Sequence, residues 1–93
     1  MMTIKEAIMF ICKREFNALR ADCNKPVKYH DVEGVRAIME AYSALKAGGV
    51  ERVANGLFKR GDRVIAKRFI TYSTRRECLC YYPVKMRVEF MEE

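Results

Sequence analysis

The stretch GVERVANGLFKRG, residues 49–61, decides how this chain is read. Val50, Val53, Ala54, Leu57 and Phe58 stand at i, i+3, i+4, i+7 and i+8, the spacing of one face of an α-helix. The opposite face carries Glu51, Arg52, Asn55 and Lys59. The spacing predicts a short third helix that stops at Gly61, because glycine accepts the left-handed backbone of a helix end.

Upstream of it, Val35, Ile38, Met39, Tyr42 and Leu45 follow the 3.6-residue period of a second helix. Asp31 is placed to cap that helix, and Gly48-Gly49 to end it. Gly34, in its first turn, costs roughly 1 kcal/mol without breaking it. Two amphipathic helices joined by so tight a junction form a helix-turn-helix unit. A first helix is expected over residues 3–19, with Thr3 and Glu6 as a capping box. Its apolar stripe is Ile4, Ile8, Ile11, Cys12, Phe16 and Leu19, with Phe10 off the stripe. Asn24 and Pro26 break the helix and make residues 21–30 a connection.

Downstream of Gly61 the period changes to two. Residues 63–72 are rich in Val, Ile, Phe, Thr and Tyr and read as a strand; 73–76 supply a turn, and 77–82 return antiparallel. After Pro83, Val84, Met86, Val88 and Phe90 alternate with Lys85, Arg87 and Glu89. That alternation is either a third strand or the second continued past a proline bulge. The expected fold is α+β, with three helices packed on an antiparallel hairpin or three-stranded sheet. Ninety-three residues make a single domain, 1–93, since a second could not bury its own core.

At 51% hydrophobic and 32% charged, the composition is that of a folded chain and excludes intrinsic disorder. The apolar run from Ala7 to Cys12 is short and bracketed by charges, so it reads as neither a secretory signal nor a membrane span. A cytoplasmic location is expected, where the four cysteines stay reduced. Between Arg52 and Arg76 lie eight positive side chains and one negative, Asp62, so this stretch holds all the positive excess of a chain whose net charge is +6. Nucleic acid is the commonest polyanion that such a block meets. Lys59, Arg60, Arg63, Lys67, Arg68, Arg75 and Arg76 are the expected phosphate contacts, with Arg52 and Asn55 as base readers.

The order of helix, short extension at Val27-Lys28-Tyr29, helix, tight turn, helix, strand, basic tip and strand over residues 3–83 resembles the winged helix-turn-helix family. Ala44 and Gly48, four apart, sit where many helix-turn-helix units carry Ala and Gly. The resemblance implies a third helix in the major groove with Arg52, Asn55 and Lys59 at base edges, and a wing whose Arg75 and Arg76 reach phosphate or minor groove. The function expected is nucleic-acid binding, DNA ahead of RNA, in a regulatory or accessory role, with a homodimer as one form.

The alternative is a protein-binding inhibitor or adaptor, acting on a nucleic-acid-handling complex and anchored by Phe10, Tyr81 and Tyr82. Cys78 and Cys80 could join Cys12, Cys23 and His30 around zinc, but a pair one residue apart on a strand chelates poorly, so no metal is expected. His30 beside Asp31 is a loop neighbour pair and not a triad. With no phosphate loop, nucleophile elbow or paired-carboxylate pattern, neither an enzyme nor a cofactor is expected.

Overall fold

A computed structural model describes residues 2–22, 32–53, 56–75 and 80–91. Two helices, α1 (Ile4–Asp22) and α2 (Val32–Ala47), precede four strands: β1 (Val50–Val53), β2 (Leu57–Arg60), β3 (Arg63–Arg75) and β4 (Cys80–Phe90). The strands form an antiparallel meander in the order β1-β2-β3-β4, and both helices pack on one face of it. The architecture is α+β, as expected, with two helices and a four-stranded sheet in place of three helices and two or three strands.

The capping box starts α1 as expected: the Glu6 amide donates to Thr3 Oγ1 at 3.1 Å, and the Thr3 amide donates to Glu6 Oε1 at 3.3 Å. Ala7, Ile8, Ile11 and Cys12 bury the stripe behind it. The expected cap Asp31 lies outside the described residues. Gly49 ends α2 in the left-handed region, φ 70°, with its amide donating to the Lys46 carbonyl.

The face of α2 differs from the periodic reading. Gly34, Ala41 and Leu45 are buried, while Val35, Met39 and Tyr42 stand exposed. The small residues Gly34, Ala37, Ala41, Ala44 and Gly48 make up the side that α1 approaches closely. A Cβ on Gly48 would come within 2.0 Å of Ile4 Cδ1. Close packing of the small residues leaves Val35 and Met39 in solvent, while Leu45 is buried, Ile38 half-buried and Tyr42 at the margin of the α1 contact.

The third helix is overturned, and with it the winged helix-turn-helix. Residues 50–53 and 57–60 are strands paired Val50↔Arg60, Glu51↔Lys59, Arg52↔Phe58 and Val53↔Leu57. A helix that short holds too few hydrogen bonds to offset its nucleation cost. Paired as strands, Val50, Arg52, Phe58 and Arg60 turn toward the helices, and Glu51, Val53, Leu57 and Lys59 turn away. Two arginines on the inward face broke the apolar alternation that would have announced these strands. Asn55-Gly56 between Val53 and Leu57 was the available hairpin signal.

A two-residue turn at Gly61-Asp62 leads into β3. At the Phe58/Lys59 step the register shifts, so Ile65 and Ala66 in succession are both buried. β4 runs unbroken through Pro83, with a register shift opposite Thr71/Tyr72, so the last strand is the second one of the hairpin continued past a bulge. The core is Ala7, Ile8, Ile11, Cys12, Ala41, Leu45, Val50, Phe58, Ile65 and Ala66, with Phe58 the largest side chain fully buried.

A helix over residues 50–60 would bury Leu57 and Phe58 alike, whereas the sheet buries only Phe58. Phe58→Ala is therefore expected to lower unfolding free energy by about 3–5 kcal/mol and Leu57→Ala by about 1 kcal/mol or less, as read from urea unfolding. Equal losses would return these residues to a helix.

Candidate nucleic-acid interface

The basic block divides between the two faces of the sheet. Arg52 on β1 and Arg68 on β3 point inward to one carboxylate, Glu15 of α1. Arg52 Nη1 donates to Glu15 Oε2 at 2.5 Å, and Arg68 Nη1 donates to Glu15 Oε1 at 3.2 Å. Both arginines flank Phe58, and the Arg52 guanidinium lies 6.0 Å from its ring centroid. Gly56 makes room for this arrangement. Its φ of 84° and the 2.8 Å that would separate its Cβ from Arg68 Cβ both require glycine. Burial alone would draw the Arg52 guanidinium below its ordinary pKa; the Glu15 hydrogen bond and charge, helped by the Tyr42 hydroxyl, outweigh it and hold Arg52 above that value.

Arg60 also turns inward. Its Nε donates to the Gly48 carbonyl at 3.1 Å, placing a cation at the negative end of α2. Three of the expected nucleic-acid contacts, Arg52, Arg60 and Arg68, thus tie the helices to the sheet.

The outward face, which no described element covers, holds two of the others, Lys59 and Lys67. Lys59, Lys67, Lys85 and Arg87 lie there with Glu51 and Glu89. At its centre Phe69 is half-buried, with Lys67 Nζ 5.1 Å and the Arg87 guanidinium 4.3 Å from its ring centroid. Arg87 is also ion-paired with Glu89. Arg63 is exposed beside the Gly61-Asp62 turn. Phe69, Lys85 and Arg87 were not among the residues singled out in the sequence. Their signal was the alternation along β3 and β4, which puts Lys67, Phe69, Lys85 and Arg87 on one side.

Asn55, Arg76 and the side chains of Arg75 and Tyr81 lie outside the described residues, as do Cys23, His30, Cys78 and the Cys80 side chain. Phe10 is half-buried against the core. Tyr82 is 5% exposed; its hydroxyl accepts from Arg20 Nε at 3.2 Å, and the Arg20 guanidinium lies 5.6 Å from the rings of both Tyr82 and Phe16. Cys12 is fully buried, and that burial pushes its thiol pKa up, as does Glu15, against the opposing charges of Arg68 and Arg52.

Comparison with known proteins finds no matching family model, curated protein or solved structure. None of the described helices is long and apolar enough to cross a membrane.

Glu15→Ala would leave two partly buried guanidinium groups facing one another without their acceptor. Chemical denaturation is expected to show a loss of about 1–3 kcal/mol, and Glu15→Gln a smaller one. Maleimide labelling of the native protein at pH 7, read by peptide mass mapping, is expected to spare Cys12, because the raised pKa keeps it a thiol and its sulfur is enclosed. Labelling there at the rate of a free thiol would show that the core opens.

Proposed function

We propose that the protein binds single-stranded nucleic acid across the uncovered face of its sheet. The observation that carries this reading is Phe69 on a central strand, held between Lys67 and Arg87, with Lys59 and Lys85 on the same face. Unpaired bases stack on aromatic rings and on guanidinium planes, and the cations around such a platform take the phosphates. A duplex hides its bases' faces and cannot use that platform. The major-groove reading lapses with the third helix, and a sheet surface takes its place. Lys59 and Lys67, expected as phosphate contacts, keep that role here, and Lys85, Arg87 and Phe69 join them; Arg63, paired with Arg60, belongs to the other side of the sheet.

A second reading, a protein-binding inhibitor or adaptor, draws on one separate feature. Val35, Met39 and Tyr42 form an exposed stripe on α2, 51%, 64% and 46% accessible. Large apolar groups aligned this way on a helix suit a protein surface better than a phosphate backbone.

Fluorescence anisotropy with a mixed-sequence single strand and its duplex separates the two. About four phosphate contacts to a single strand give a log–log salt slope near −3, so affinity falls about 50-fold between about 50 and 200 mM salt. Phe69→Ala is expected to weaken single-strand binding about 5- to 100-fold, and Lys67→Ala with Lys85→Ala to flatten the slope by about 1.4. Absence of binding at low salt, or a duplex bound more tightly than the strand, would discard this reading in favour of the protein partner.

A further inference from the structure

We infer that the free edge of β4 pairs with β4 of a second copy of this chain, antiparallel and centred on Val88. β4 ends the sheet order, so among the described residues no strand neighbours one side of its backbone. Which groups face that side follows from one bond. The Met91 amide donates to the Ile65 carbonyl at 2.9 Å, and Ala66↔Phe90 pairing places Lys67↔Glu89 and Phe69↔Arg87 in the same ladder. In an antiparallel ladder a residue's N–H and C=O point to the same side, and alternate residues point oppositely. Arg87, Glu89 and Met91 therefore bond to β3, and Met86, Val88 and Phe90 present their amides and carbonyls to the open edge.

Edges left open in folded proteins are blunted by prolines, bulges, inward charges or charged side chains along the edge. Pro83 and the register shift beside it blunt one end of β4. Beyond them, residues 84–90 hold no further proline and no inward charge; their charges, Lys85, Arg87 and Glu89, alternate in sign on the outer face, and the inward side chains Met86, Val88 and Phe90 are apolar and half-buried.

The side chains select the partner and the register. A two-fold axis at Val88 sets Val88 opposite Val88 of the second copy and Met86 opposite Phe90, so every open-edge amide between them finds a carbonyl and apolar groups meet on the helix-bearing face. On the other face Arg87 comes opposite Glu89, twice, at non-hydrogen-bonded positions where side chains lie closest. Moving the axis by one residue to Arg87 would set Lys85 opposite Glu89 but oppose two arginines at the axis, and moving it to Glu89 would oppose two glutamates. Of the three, only the register centred on Val88 opposes no like charges, which fits a second copy of this strand and closes as a dimer. The resulting eight-stranded sheet would carry both copies' Phe69 and Lys67 on one continuous face. The inference stands independently of any nucleic-acid role.

Sedimentation equilibrium tests it at chain concentrations up to about 500 µM, a range suited to a strand-sized interface. The expected mass is twice 10.9 kDa. Arg87→Glu, which opposes two glutamates across the axis, is expected to raise the dissociation constant at least about tenfold, and adding Glu89→Arg to restore it, because both side chains are exposed and outside the core. Val88→Pro deletes an amide that β3 does not use, and is expected to give a monomer with an unchanged circular-dichroism spectrum. A wild-type monomer throughout that range, or a dimer indifferent to Arg87→Glu, overturns the inference. The charge-reversal pair decides alone if the proline variant fails to fold.

Discussion

Glu15 holds the helical layer to the sheet. Its two carboxylate oxygens take one guanidinium from β1 and another from β3, straddling Phe58 on the strand between them. A carboxylate with two charge-assisted bonds in a partly buried setting fixes geometry more than it adds net stability, because each ion gives up water to be there. What it fixes here is the position of α1 relative to β1 and β3. The close approach of Gly56 to Arg68, closed by the Arg68 amide donating to the Gly56 carbonyl, and the Arg52 guanidinium beside the Phe58 ring lie in the same cluster.

The consequence for function is a redistribution of charge. A chain with a net charge of +6 would offer one broad positive surface if its basic block were all solvated. Instead Arg52 and Arg68 are engaged with Glu15, and Arg60 with the end of α2. What the outer face retains is smaller and more ordered: lysines and an arginine set around one aromatic ring. Affinity for a polyanion scales with the number of cations presented, whereas discrimination comes from what lies between them. A ring between two cations is therefore more informative than the total charge.

The same alternation that builds this face also shapes β4. Odd positions from Lys85 to Glu89 put charge outward, and even positions from Met86 to Phe90 put apolar groups inward. Because backbone groups alternate in step with side chains, the free edge of the strand is chemically defined on both faces. Phe69 and Arg87 belong at once to the outer surface and to the strand pair beside that edge.

Local signals identified the elements whose cause is local. The Thr3–Glu6 box, the Gly48-Gly49 stop and the period-two run after Gly61 each depend on residues adjacent in the chain, and each stands in the structure, with β3 running on to Arg75 and the open choice at Pro83 resolved as one strand continued past a bulge. The charge concentration was equally plain in the residues themselves. Which way the charges face was not. Residues 50–60 fit a helical period and form two strands because their inward positions are filled by Arg52 and Arg60, and the groups that make those positions tolerable, Glu15 and the Gly48 carbonyl, belong to other elements. Likewise α2 leaves Val35 and Met39 outward because α1 fits closely against its small residues, Gly48 above all. An arginine carries the same charge on either face of a strand; only the partner across the fold decides whether burying it costs or stabilises, and that partner is a tertiary fact.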